Sequence, residues 1–144
     1  MTDTGEIYHY LEAMPADCAN GTTTTFPWAH VDDPIIAFND ALGSGRLNTK
    51  NIIEVLGPGT IYAAQVCVAL TAGGYSDWFL PSYNELCLMY DNLHAKGLGG
   101  FQNDYYCSSS LLDGSTIRLL KFNDGSIAHD WFGRSSRVRA IRAF

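Results

Sequence analysis

Ile117-Arg118-Leu119-Leu120-Lys121-Phe122-Asn123-Asp124-Gly125-Ser126-Ile127-Ala128-His129-Asp130-Trp131-Phe132 is the stretch on which the fold class turns. Branched and aromatic residues fill two short runs, 117–122 and 127–132. Asn123-Asp124-Gly125 between them is a hairpin signal, because such residues tolerate the positive φ of a tight turn. Two antiparallel strands are expected here, and Arg137 to Phe144 reads as a last strand. Upstream the patterns are mainly helical. Strand, then helices, then a β-rich tail predicts an α+β fold rather than alternating βαβ units.

Working back toward the N-terminus, Ser82-Tyr83-Asn84-Glu85 is a capping box, in which the Ser hydroxyl and the Glu carboxylate each take a backbone N–H of the first turn. Leu86, Met89, Tyr90 and Leu93 follow at i, i+3, i+4 and i+7, one apolar stripe, and Gly97 closes the helix. Thr60 to Thr71 is apolar on nearly every side, which predicts a buried helix ending at Gly73-Gly74. A shorter helix is expected from Asn48 or Thr49 to Leu56, stopped by Gly57-Pro58-Gly59. Asp33-Pro34 reads as an N-cap and first helical residue, opening a helix through Leu42 that Gly43-Ser44-Gly45 ends. Glu6 to Leu11 suits an opening strand.

The 144 residues are 47% hydrophobic and 17% charged, enough apolar matter for a core and too much for disorder. Without a repeat or dividing linker, one domain over 1–144 is expected. The net charge of −6 opposes a phosphate-backbone binder, so no nucleic-acid partner is expected. That charge is uneven: residues 1–117 carry 3 basic and 13 acidic side chains, and residues 118–144 carry 6 and 2. No run approaches the roughly 20 apolar residues of a membrane span, and the first residues lack a signal-peptide pattern. Cys18, Cys67, Cys87 and Cys107 form no C-x-x-C, which disfavours a zinc or redox motif.

Catalytic signatures are weak. Gly74-Tyr75-Ser76-Asp77-Trp78 lacks the second glycine of a nucleophile elbow, and Gly57-Pro58-Gly59 lacks the Lys-Ser/Thr of a phosphate loop. His9, His30, His94 and His129 are isolated, which suits surface or packing roles better than metal ligation. Arg137, Arg139 and Arg142 alternate with apolar residues, and such arginines more often tie a strand to carboxylates than bind a ligand. Segment 107–135 is less regular. If Leu120 and Phe122 point inward, then Ile117, Leu119 and Lys121 point outward, and apolar groups beside Arg and aromatic side chains compose a recognition surface.

Several blocks resemble a known family: Gly73-Gly74-Tyr75-Ser76-Asp77-Trp78-Phe79-Leu80-Pro81-Ser82, Asn84-Glu85-Leu86, Tyr105-Tyr106, Ser108-Ser109-Ser110 and Arg137-Val138-Arg139-Ala140-Ile141-Arg142-Ala143-Phe144. Upstream, Tyr10 to Asp17 and Gly43-Ser44-Gly45 are similar to its opening. The family is the bacterial and phage domain typified by the C-terminal domain of the Legionella collagen-like adhesin. The resemblance implies a C-type-lectin-like fold of the branch that includes formylglycine-generating enzymes. It implies two main helices, short extra helices, a small antiparallel sheet, and adjacent N- and C-terminal strands. Some members are variable proteins of diversity-generating retroelements, in which template adenines are mutagenised and the fold displays the varied side chains.

The match holds in the flanks and fails in 107–135, the contrast that adenine-directed variation leaves. Where the family reads Tyr-Trp-Ser-Ser-Ser-Glu, this chain has Tyr106-Cys107-Ser108-Ser109-Ser110-Leu111, and Ile117-Arg118 replaces the usual Ala-Trp. Most of these residues are reachable from an Asn codon by adenine substitution, though Trp131 and Lys121 are not. The expected ligand-binding residues are Leu111, Ile117, Arg118, Leu119, Lys121, Ile127, His129, Trp131, Phe132 and Arg134. The implied function is non-enzymatic recognition of a protein or glycan on a cell surface; the sequence does not fix the protein's own location, for which a virion or cell surface is compatible with that role. No metal or cofactor is expected, because the calcium motifs of true C-type lectins are missing and Cys107 has no neighbouring thiol in sequence. The alternatives are a relative of the formylglycine-generating oxidases, which hold copper on a cysteine pair, and a glycan-binding adhesin module.

Overall fold

The computed structural model describes residues 8–30 and 39–144. The elements run in the order β1 (Leu11–Ala13), β2 (Phe26–Pro27), α1 (Gly45–Leu56), α2 (Ala63–Val68) and α3 (Tyr83–Asn92), with a 3₁₀ turn at His94–Lys96. There follow β3 (Tyr105–Leu111), β4 (Thr116–Lys121), β5 (Ile127–Trp131), β6 (Ser135–Ser136) and β7 (Ile141–Ala143). Among the described residues the class is α+β, with three helices and small antiparallel sheets.

The 117–132 hairpin forms as expected. β4 and β5 pair antiparallel from Thr116↔Trp131 to Leu120↔Ile127, and Gly125 at the turn has φ +75°. β3 lies on the other side of β4, giving the order β3-β4-β5. The turn chemistry of Ser108-Ser109-Ser110 concealed β3. These serines are fully buried, and each hydroxyl has a partner: Ser108 donates to Arg118 O (2.7 Å), Ser109 to Pro81 O (3.1 Å) and Ser110 to Asn39 O (3.0 Å). A buried strand can carry small hydroxyls when each one is satisfied.

The sheet is covered on both faces. Ile117 and Leu119 enter a core with Trp28, Ile52, Tyr62, Cys67, Trp78 and Val138. Leu120 and Phe122 enter a second core with Tyr83, Leu86, Met89, Phe101 and Tyr106. A central strand between two cores must be apolar on both sides, so the in–out alternation expected for 117–122 does not occur.

α3 begins at its capping box. Ser82 Oγ accepts from Glu85 N (3.3 Å), and Ser82 N donates to Glu85 Oε2 (2.7 Å). Leu86 and Met89 are buried and Tyr90 and Leu93 partly so, as the stripe requires. α1 starts at Gly45, earlier than expected, because Asn48 and Thr49 are interior residues rather than caps. Asn48 Nδ2 donates to Asn39 O (2.7 Å) and Ser109 Oγ (3.1 Å), and Thr49 Oγ1 accepts from Leu80 N (3.0 Å). α2 is shorter than Thr60–Thr71, and Ile61 and Val68 are exposed, so it is not buried all round. Residues 58–62 are not helical, and Gly59 there has φ +110°. The helix expected from Asp33-Pro34 falls outside the described residues up to 38, and its last expected residues, 39–42, are not helical; Glu6 and Ile7 of the expected opening strand also lie outside the described residues.

The chain ends meet. β1 and β7 pair antiparallel, Leu11↔Ala143 to Ala13↔Ile141, and the expected strand over 137–144 is short because its earlier residues bond elsewhere. Arg137 bridges Tyr106, Val138 O accepts from Cys18 N, and Ile141 bridges Phe79. The last ten residues thus stitch the N-terminal segment to β3 and to the stretch before α3.

Candidate functional site

β5 is the edge strand of the three-stranded sheet. Its residues alternate: Ile127, His129 and Trp131 are exposed, while Ala128 packs against the first core and Asp130 is half-buried. Ile127 is 68% exposed and Trp131 58%, too large an apolar display to arise from a strand's ordinary alternation. Across the ladder Arg118 stands opposite His129 and Thr116 opposite Trp131, so these side chains share one face.

Arg118 is half-buried. Its Nε lies 3.0 Å from Asp40 Oδ2 without hydrogen-bond alignment, and its guanidinium sits 5.4 Å from the Tyr83 ring centroid. Arg134 is exposed and pairs with Asp130 Oδ2 at 3.0 Å. Lys121 reaches Asp124 across the turn at 3.7 Å. The Trp131 ring folds back over Gly133, where an added Cβ would collide with it. Beside the strand a cleft of about 360 Å³ opens, lined by Tyr105, His129, Asp130, Arg134 and Ser135 among others.

The ten expected residues therefore divide. Arg118, Lys121, Ile127, His129, Trp131 and Arg134 reach solvent wholly or in part. Leu111, Ile117, Leu119 and Phe132 do not, and their expected outward placement is corrected: all four belong to the first core, with Ile117 fully buried. Leu111 and Ile117 are cross-strand partners, and Phe132 passes inward as its backbone binds Trp28 and Ala29.

The tail arginines are structural. Arg139 is fully buried, donates to Asp17 Oδ1 at 2.7 Å and to Gly99 O at 2.6 Å, and lies 3.9 Å from the Phe101 centroid. Tyr106 also donates to Asp17, and burial pushes its phenol up to about 12. Arg137 joins Asp104 and Asp17, and Arg142 joins Asp77 and Glu12. The Arg142 guanidinium holds the Asp77 carboxyl below its ordinary range.

Sequence reasoning missed the thiols. Cys18, Cys67 and Cys107 converge in the first core although 49 and 40 residues separate them along the chain. Cys18 and Cys67 are free thiols within the same buried cluster. Burial pushes Cys67 upward and Cys107 up to about 12, which keeps both protonated and unreactive at neutral pH. Spacing alone carries no signal for this convergence. Among the described residues no group of three His, Cys, Asp or Glu gathers as a metal site, and no helix is long and apolar enough to cross a membrane. No family model matches the chain, and no curated protein matches it.

Proposed function

We propose that this chain is a non-enzymatic recognition module with a C-type-lectin-like fold, a retroelement-diversified variable protein of a phage or prokaryote. Its face is built on Arg118, Ile127, His129 and Trp131, with the solvent-reaching Lys121 and Arg134 at its margins, and its partner is a protein or glycan on a cell surface. The observation that carries the reading is β5 itself. Ile127, His129 and Trp131 project from a strand whose other side is tied to the core through Ala128. Trp131 is the aromatic anchor and Arg118 and Arg134 supply forked donors, the residue types that dominate binding energy. The pairing of β1 with β7 and the capped α3 support the same scaffold.

A genomic comparison tests this reading. A near-identical template repeat and a reverse transcriptase beside the gene are expected, with differences at template adenines. Codons 118, 127, 129 and 131 should vary while 111, 117, 119 and 132 stay fixed. Variation spread evenly over exposed and buried codons would overturn the reading.

The oxidase alternative has one observation in its favour, the gathering of Cys18 and Cys67 in one core. Both thiols are nearly or wholly inaccessible, at 3% and 0% exposure, which favours the binding module. Stoichiometric copper uptake lost in both Cys18→Ser and Cys67→Ser would reverse that preference.

A further inference from the structure

β5 has one free edge, and its backbone groups can be assigned. Lys121 N donates to Ser126 O (3.0 Å) and Phe132 N donates to Ser115 O (3.2 Å), so even-numbered positions of this strand face β4. The N–H and C=O of Ile127, His129 and Trp131 consequently point away from the sheet. At Trp131 both groups are used locally: its N–H donates to Asp130 Oδ1 (2.9 Å) and its carbonyl accepts from Arg134 N (3.1 Å). The edge groups of Ile127 and His129 have no backbone partner of this kind. Proteins blunt such edges with lysine, proline or bulges, and none of these occurs between Ile127 and Trp131.

The side chains on this edge are arranged symmetrically about His129. Two residues before it stands Ile127 and two after it Trp131, both exposed and on the same face. Five before it stands Asp124 and five after it Arg134, each with a side chain 56% exposed. An antiparallel copy centred on His129 therefore meets its own complement. Ile127 faces Trp131 of the second copy, and the opposite charges of Asp124 and Arg134, in the turns that flank the strand, fall at the same end of the pairing.

We propose that the free edge of β5 pairs antiparallel with β5 of a second copy of this chain, about a twofold axis through His129, to make a continuous six-stranded sheet. The two His129 residues exchange backbone hydrogen bonds. Trp131 gives up its bonds to Asp130 and Arg134 for bonds to Ile127 of the second copy. Main-chain bonds supply the attachment and the Ile–Trp pairs fix the register. Edge pairing leaves the shared face of Arg118, His129 and Trp131 open to solvent, so two recognition faces lie side by side. The contact is short, at the low end of specific interfaces (below about 1,200 Å² in total), so the dimer is weak and concentration-dependent.

The test is sedimentation velocity of the intact protein from micromolar to millimolar concentration, with amide exchange on the same samples. A monomer–dimer equilibrium is expected, with slowed exchange at the Ile127 and His129 amides as the dimer fills. Ile127→Lys and Trp131→Lys should each weaken association by about tenfold, because both symmetric Ile–Trp pairs are lost together. His129→Pro should abolish association, since it removes an outward N–H and leaves the β4 ladder intact. Circular dichroism identifies any variant that fails to fold. Monomer at every concentration, or unchanged exchange at Ile127 and His129 in the unmodified protein, would overturn the proposal. Dimer that persists in folded Ile127→Lys and His129→Pro would do the same.

Discussion

Trp131 and Ile117 lie on paired strands and have opposite environments, and that contrast separates recognition from stability. Trp131→Ala removes an exposed ring and should leave the thermal midpoint within a degree or two while abolishing capture of the partner. Ile117→Ala opens a cavity in a closed core and should cost about 2–5 kcal/mol, measured by denaturant unfolding. At Arg139 the argument is electrostatic. Arg139→Met leaves Asp17 facing a buried site without its main counter-charge, a loss of about 3–5 kcal/mol by the same measurement. The roles of the tail arginines were legible in the sequence because their alternation with apolar residues has few structural solutions. Burial of Ile117 and Leu119 was not, because the core that covers them is built from Trp28, Ile52, Tyr62, Trp78 and Val138, residues distant in sequence.

Among the elements, α3 was the most readable and β3 the least. A capping box is a local device, and every residue it needs lies within four positions of the others. Its glutamate also does long-range work: Glu85 Oε1 accepts from Gly43 N (2.9 Å), so the cap anchors the turn before α1. Glu85→Ala should therefore cost more than the roughly 1 kcal/mol of an ordinary cap, and Ser82→Ala about that ordinary amount, both by denaturant unfolding. Gly45→Ala should be comparably damaging, because a Cβ there meets the Glu85 carboxylate and the backbone of Ser82 and Leu80. β3 was invisible because its serines carry turn propensity, and their true partners, Pro81 and Asn39, are at least 28 residues away. Asn48 and Thr49 misled for the same reason: these cap-forming side chains bond across the fold, Asn48 to Asn39 and Ser109 and Thr49 to Leu80, and the Thr49 hydroxyl also donates back to Gly45 O inside the helix.

At the scale of the molecule, carboxylates govern how stability depends on pH. Asp77 has a lowered folded-state pKa through Arg142, so its contribution is present above the ordinary carboxylate range and is lost as pH falls through the lowered value. Glu85 has a raised pKa through burial, so its contribution is largest below the unfolded value and is lost as pH rises through the folded one. A thermal midpoint scan should show a modest rise on mild acidification, absent in Glu85→Gln, and then a steep fall that is shallower in Arg142→Met. The α+β class was legible from the order of the elements alone. The closing of the chain ends was legible only through family resemblance, because β1 and β7 are three residues each and carry no periodic signal.

The account depends on the outer face of the hairpin being chemically replaceable while its inner face is not. The direct measurement is the folded fraction of two randomised libraries under protease selection, one varied at Arg118, Ile127, His129 and Trp131, the other at Leu111, Ile117, Leu119 and Phe132. Most members of the first should survive and few of the second. Equal survival in the two libraries, or collapse of the first, would contradict it.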